Sequence, residues 1–237
     1  MKFQERTAII TGGTGALGSL LVQTFRHEGA AVAIPVHRQH TLDTLEKSPA
    51  ESLQKLLPIP ADLVSQKDVH AFVQRVLDEW KCVDFLIHTV GAYAGGKRVE
   101  EVTEEEWDKL MDVNLKTAFL MCGAVLPPMR SRGFGRIITI GAMPALRPMA
   151  KRGPYQISKR ALITLTETIA EEVKGSGITA NTIVPSTILT PDTIESMPDA
   201  DHSKWVPPDE IAALAAYLCS AEARSVNGNA IKIFGGA

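Results

Sequence analysis

The sequence is short of the features that mark several protein classes. Of its 237 residues only three are cysteine, Cys82, Cys122 and Cys219, far apart and without a CxxC pair. A disulfide framework is thereby excluded, and each thiol lies in an apolar stretch, as a buried free cysteine of a reducing cytoplasm would. The six histidines are scattered without ligand spacing, so no metal site is expected. Neither sign of charge dominates: 25 Lys and Arg against 27 Asp and Glu leave a net charge of -2. No basic run stands out, so neither nucleic acid nor an anionic membrane is an expected partner. The first residues, MKFQERTAII, lack a signal-peptide core, and no apolar run looks long enough to span a membrane. With no linker, repeat or low-complexity segment, residues 1–237 read as one unit.

What is present is a regular alternation of apolar β-like runs with helical patterns. Candidate strands are TAIIT (7–11), AVAIPV (31–36), LLPIPAD (56–62), VDFLIH (83–88), RIITIG (136–141), ITANTIV (178–184) and AIKIF (230–234). They are continuous rather than alternating, as parallel strands buried on both faces are. Helical spacing runs over 105–130, through Trp107, Met111, Ala118, Met121, Val125 and Met129. It recurs over 155–174, through Ile157, Ala161, Leu165, Ile169 and Val173. The fold class expected is therefore α/β: a doubly wound, Rossmann-type parallel sheet of about seven strands with helices on both faces. One long irregular stretch, about 186–206, is of a length that usually marks a lid or binding loop. After it, PPDE at 207–210 reads as a helix start.

TAIITGGTGALGSLLVQTF places Gly12, Gly13, Gly15 and Gly18 between the first strand and its helix. Small residues there let backbone approach a pyrophosphate, which then sits at a positive helix N-terminus. The strand–turn–helix context makes the GxGxxG match specific. The second strand ends in Val36, His37 and Arg38, with no acid before Asp43. An acid would bind the ribose 2'-hydroxyl, whereas Arg38 suits a 2'-phosphate, so NADP(H) is preferred, with NAD(H) as the alternative.

These residues resemble the short-chain dehydrogenases/reductases over essentially the whole chain. That family's TGxxxGxG turn corresponds to TGGTGALG, with Ala16 in place of the middle glycine. HTVG (88–91) stands at its NNAG position and keeps only Gly91. DVNL supplies its active-site Asn114, YQISK its Tyr155 and Lys159, and NTIVPSTILTP its segment along the nicotinamide, with Ser186 for glycine. The resemblance implies an NAD(P)-dependent oxidoreductase with catalytic Tyr155, Lys159 and Asn114, the last holding a relay water. The cofactor contacts it implies are Gly12, Thr14, Gly15, Leu17 and Gly18 in the turn, Arg38, and Asp62 and Leu63 near the adenine. Gly91, Tyr155, Lys159, Pro185, Ile188 and Thr190 complete them. Tyr155 and Lys159, at i and i+4, share a helix face. A phenol of pKa about 10 next to a cation is expected to ionise more easily, toward acid–base work near neutral pH.

One family residue is missing. The serine that orients a substrate oxygen is replaced by Ala142, and Thr139 could substitute only by a register shift. Loss of one such donor slows a reaction by ~10²–10³-fold. Alanine there, together with GALG (15–18), VGAYAGG (90–96) and TPDTIESMPDADHSKW (190–205), resembles the quinonoid dihydropteridine reductases, which reduce a flat conjugated ring. That branch differs in usually having an aspartate where Val36 stands and in lacking the asparagine. The expected substrate is small and conjugated, pterin- or quinone-like. The alternatives are an ordinary ketone or alcohol dehydrogenase, and a weakly catalytic cofactor-binding sensor or scaffold. Ala142, Tyr93 and Trp205 are the substrate-side candidates: Tyr93 as stacking surface or packing anchor, Trp205 as nicotinamide cover or loop anchor. Asp199 and Asp201 read as a solvated turn. By family analogy the helices at 105–130 and 155–174 form the contact of a homodimer or homotetramer, and the location expected is cytoplasmic.

Overall fold

In the computed structural model, which describes residues 1–36 and 55–236, seven strands lie side by side and all run parallel. They are β1 (Thr7–Thr11), β2 (Ala31–Val36), β3 (Leu56–Pro60), β4 (Phe85–His88), β5 (Gly135–Ile140), β6 (Ile178–Pro185) and β7 (Ala230–Ile233), in the spatial order β3-β2-β1-β4-β5-β6-β7. Each expected strand is present, within a residue or two at its ends. Arg38 lies outside the described residues.

Successive strand residues serve opposite faces, which is why the runs are apolar throughout. Ala8, Ile10, Val32, Ile34, Phe85 and Ile87 pack toward α1 (Ala16–His27) and a C-terminal helix over Pro208–Cys219. Ile9, Ala33, Leu86, Ile137 and Ala180 pack on the other face. There they meet α2 (Gln66–Trp80), α4 (Thr117–Arg132) and the last turns of α5 (Gly153–Glu172). Full burial of one such aliphatic or phenyl side chain contributes about 1.5–3 kcal/mol. Phe3, Phe25 and Phe85 interlock below β1 with centroids 4.9–5.9 Å apart, so truncating Phe25 costs about 3–5 kcal/mol.

The helix expected over 105–130 is two helices in line. α3 (Glu104–Met111) and α4 are joined by one π-helical turn, Asp112–Lys116, in which the Thr117 N–H reaches back to the Asp112 carbonyl. The whole run, Glu104–Arg132, is long and apolar enough to cross a membrane by length and composition, contrary to the expectation from sequence. Here its apolar residues include Met121, Val125 and Met129, fully buried against the sheet. The stripe through Ile157, Ala161, Leu165, Ile169 and Val173 is as expected only in part: Ile169 and Val173 are buried and Leu165 packs against the same core, whereas Ile157 is 43% exposed. In the first turns the buried residues include Ser158, Lys159, Leu162 and Ile163. Residues 186–206 are not wholly irregular: they hold α6 (Pro191–Ser196), a single turn at His202–Lys204 and a bridge between Ile188 and Val206. The helix expected at PPDE is the Pro208–Cys219 element, α7.

Candidate active site

The strand order reverses between β1 and β4, the switch point outside whose strand carboxyl ends such sheets form their binding crevice. Gly12 leaves β1 with φ +67°, and a Cβ there would stand 2.6 Å from Thr89 Oγ1. A Cβ on Gly18 would lie 1.9 Å from the Gly12 carbonyl oxygen, so only glycine lets α1 start this close to the turn. Gly15 donates its N–H to that same carbonyl at 2.9 Å and precedes α1, whose first turn holds no acid. Thr14, Gly15 and Ala16 are exposed, leaving a helix N-terminus open on the crevice. This cradle, which a Cβ would fill, fits a dinucleotide pyrophosphate. Leu17 is buried among the core residues and offers only its backbone. Beyond β3, Asp62 accepts the Val64 N–H at 3.0 Å, and Leu63 is half-buried.

Across the crevice three residues meet. A Cβ on Gly91 would stand 2.8 Å from Lys159 Nζ and 3.0 Å from Asn114 Oδ1. Asn114 is fully buried on the π-turn; its Oδ1 accepts the Ala92 N–H at 2.8 Å, and its Nδ2 donates to the Ala92 carbonyl and Ser158 Oγ, both at 3.0 Å. Ser158 in turn donates to the Tyr155 carbonyl at 2.8 Å. The Asn114 side chain therefore ties the strand-four loop to α5, with both amide hydrogens engaged. Lys159 is buried and donates to the Ile140 carbonyl at the end of β5, 2.9 Å away. Desolvation pulls its pKa down from 10.5 to about 8.

The chain's own residues shift Tyr155 upward, whereas the expected downward shift counted Lys159 and an oxidised nicotinamide together. Burial pushes the phenol up to about 12, helped by the neighbouring Tyr93 and opposed by the Arg152 cation. In this pocket the loss of solvent outweighs nearby positive charge, and the phenol keeps its proton across the physiological range. The Tyr93 ring, 60% exposed, meets the Tyr155 ring edge to face, and the Arg152 guanidinium lies 5.6 Å from the Tyr93 centroid.

Ala142 is buried in extended backbone just beyond β5. Thr139 does not replace the missing hydroxyl: its Oγ1 lies 2.9 Å from both Thr166 and Thr182 in a buried cluster. Pro185 ends β6, and Ile188 bridges to Val206. Thr190 caps α6, exchanging bonds with Thr193. Trp205 packs on His202 of its own loop, with ring centroids 4.3 Å apart, and Asp201 caps the adjacent turn through Ser203. Sequence reasoning missed Ser158 and His88. The signal for the second was a histidine ending an otherwise apolar strand.

Two open depressions flank α5: one of about 510 Å³ between Gln156, Ile157 and Arg160 and the segment of Pro144, Ala145 and Pro148 that follows Ala142, and one of about 440 Å³ between Met111 and Phe119 and the α5 residues Ala161 and Leu165. Neither is lined by Asn114, Tyr155 or Lys159.

Known proteins resemble the chain in sequence and fold. The chain is 28% identical to a dehydrogenase/reductase SDR family member 4 from Oryctolagus cuniculus, over 98% of this chain and 94% of that protein. It is equally 28% identical to a D-beta-hydroxybutyrate dehydrogenase from Rhizobium meliloti (strain 1021), over 98% of both. The crystal structure of a levodione reductase superposes with a TM-score of 0.90 at 27% identity, covering 99% of this chain and 98% of that one. The short chain dehydrogenase family matches residues 6–201. That span takes in the glycine cradle, the π-turn and the Tyr155–Lys159 helix, and the chain belongs to the short-chain dehydrogenase family as an NAD(P)(H)-dependent oxidoreductase.

Proposed function

We propose that this oxidoreductase works as an NADPH-preferring reductase of a small, flat, conjugated acceptor, pterin- or quinone-like, with Tyr155 as proton donor. The observation that carries the reading is the edge-to-face pair of Tyr155 and Tyr93, their ring centroids 5.0 Å apart. The Tyr93 face is exposed, and Ala142 stands where a carbonyl-gripping hydroxyl would be. The bound nicotinamide supplies the hydride. Gly12, Gly15 and Gly18 and the open end of α1 hold the pyrophosphate, and Asp62 with Leu63 flanks the adenine. Pro185, Ile188 and Thr190 line the nicotinamide side, while Lys159 offers its ammonium to the ribose hydroxyls. Arg38, with no acid at the end of β2, favours the 2'-phosphate. Reduction adds one hydride and one proton to the conjugated system, and a phenol that holds its proton suits the second delivery. Asn114 sets the loop that carries Gly91 and Tyr93, and Trp205 anchors the substrate loop 186–206.

An ordinary ketone substrate would lack the hydroxyl donor that Thr139 cannot supply. The sensor reading rests on Ala142, the divergence at HTVG and Ser186, and the retention of Asn114, Tyr155 and Lys159 together argues against it. The exposed apolar faces of α3, α4 and α5 favour a homodimer or homotetramer, and the three buried thiols suit a reducing cytoplasm. The test is reduction of a quinonoid dihydropterin and of 9,10-phenanthrenequinone with NADPH and with NADH. Turnover that Tyr155→Phe lowers by ~10²–10⁴-fold is expected. Tight cofactor binding without turnover of either acceptor would favour the sensor.

A further inference from the structure

At the carboxyl end of β4 stands an imidazole the reaction itself does not use. His88 is 1% exposed, with Thr11 Oγ1 3.0 Å from Nδ1 and Thr117 Oγ1 3.2 Å from Nε2. A hydroxyl has one proton to donate, and the other partners of each threonine decide where it goes. Thr117 Oγ1 lies 2.7 Å from the Val113 carbonyl, which can only accept, so its proton is engaged there. Toward His88 it must then accept, which places the imidazole proton on Nε2. Nδ1 is left a bare acceptor, and the Thr11 hydroxyl donates to it. Thr11 Oγ1 in turn accepts the Thr89 N–H at 3.1 Å. Every donor in the chain has one acceptor, and the other neutral tautomer would set an Nε2 lone pair against an oxygen with no proton left.

The direction of this chain matters because of where it ends. Val113 precedes Asn114 on the π-turn. There the Thr117 N–H has gone to Asp112, and the Thr117 hydroxyl holds the Val113 carbonyl. Asn114 passes the constraint on, through Ala92 to the loop of Gly91 and Tyr93, and through Ser158 to α5. We propose that His88, as its Nε2–H tautomer, is a positioning residue that locks the π-turn to the end of β1 and so fixes Asn114 relative to Gly91 and Lys159. The imidazole must stay neutral to do this, because a proton on Nδ1 would face the hydrogen that Thr11 now donates. Burial and the nearby Lys159 ammonium hold its pKa down to about 3, in keeping with that role. The inference rests on the reading above only in counting Asn114, Tyr155 and Lys159 as the reacting set.

Two measurements test it. In the full chain with 15N-labelled histidine, the resonance absent from the His88→Leu or His88→Gln spectrum should show a protonated Nε2, a bare Nδ1 and no titration between pH 5 and 8. An Nδ1–H tautomer, or titration in that window, overturns the proposal whatever the enzyme reduces. In kinetics with NADPH and 9,10-phenanthrenequinone, Thr117→Val should lower kcat by about tenfold or more, with the dissociation constant for NADPH changed less than about threefold. Thr117→Ser, which keeps the hydroxyl, should restore most of kcat. Unchanged kcat in Thr117→Val, or a loss that serine does not restore, also overturns it. If the wild type leaves the quinone unreduced, the substrate reading fails, and the tautomer measurement still decides the role of His88. Should His88→Leu and His88→Gln not fold, the Thr117 pair identifies the same resonance by its shift.

Discussion

The rings of Tyr93 and Tyr155 meet edge to face with centroids 5.0 Å apart, the first mostly exposed and the second half-buried. The candidate proton donor is thus framed by an aromatic surface that a flat acceptor can share. Aromatic pairs of this kind contribute about 0.5–1.5 kcal/mol beyond area burial. Tyr93→Ala should therefore raise KM for a conjugated acceptor about three- to tenfold, and Tyr93→Phe should keep wild-type KM. Equal KM values for the alanine and phenylalanine variants would make Tyr93 a packing residue only.

Gly91 offers a sharper cut, because its missing side chain is what lets Lys159 and Asn114 approach. Gly91→Ala would put a methyl 2.8 Å from Lys159 Nζ, and the ammonium or the loop must shift. A misplacement of about 1 Å in a reacting set can cost ~10²-fold. The expected outcome is a fall in kcat of that order, with the thermal midpoint changed by only a few degrees. A variant with full activity would show that Lys159 has room to spare.

The seven strands were legible because burial on both faces demands continuous apolar runs, and Ala8, Ile9 and Ile10 illustrate it by serving opposite layers in turn. The Tyr155–Lys159 spacing and the glycine turn were legible for similarly local reasons. Three features were not. The π-turn at Asp112–Lys116 differs from an α-helix by one residue of register, which leaves no mark in periodicity. Ile157, Ala161, Leu165, Ile169 and Val173 form a good stripe, but its first turn faces outward at Ile157, since the helix there must bury Ser158 and Lys159. The state of Tyr155 depends on desolvation by residues far apart in sequence, and that outweighs the opposing Arg152 cation, which is not part of the motif.

The ionisation states give a pH profile with a defined sign. Lys159, drawn down to about 8, is a cation below that value and neutral above it, while Tyr155 keeps its proton to about 12. If the ammonium holds the nicotinamide ribose, kcat/KM for NADPH, which reports groups of the free enzyme, should fall as pH rises through about 8. Lys159→Arg, whose charge persists, should flatten that limb even where it lowers the rate. A limb near 10 instead would mean that Lys159 is as well solvated as a surface lysine.

At the opposite end of β4, Asp84 has no exposed surface; it accepts from Arg6 Nη1 and the Thr7 N–H, both at 2.9 Å, with Arg132 Nε at 3.6 Å. Arg6 and Arg132 are partly exposed, so solvent screens much of their contribution. The buried N–H left unsatisfied by Asp84→Ala makes the larger part of the cost, about 2 kcal/mol in all. A lower urea midpoint is expected, with kcat per folded molecule unchanged, because Gly91 and Lys159 lie at the other end of the strand. A loss of kcat in fully folded protein would contradict this separation.

On the proposed reading, Ala142 marks the substrate class. With Thr139 held between Thr166 and Thr182, no hydroxyl on β5 replaces the missing donor, so a carbonyl oxygen near Tyr155 would develop charge with one stabilising bond too few. A conjugated ring spreads that charge over several atoms and needs the donor less. Ala142→Ser should then raise kcat/KM for a simple ketone by up to ~10²–10³-fold, the worth of one such donor, and leave the conjugated acceptor within about threefold. Comparable gains for both substrates would mean that the wild-type site grips a single oxygen in each. No gain for either would mean that the added hydroxyl is not aimed at the crevice.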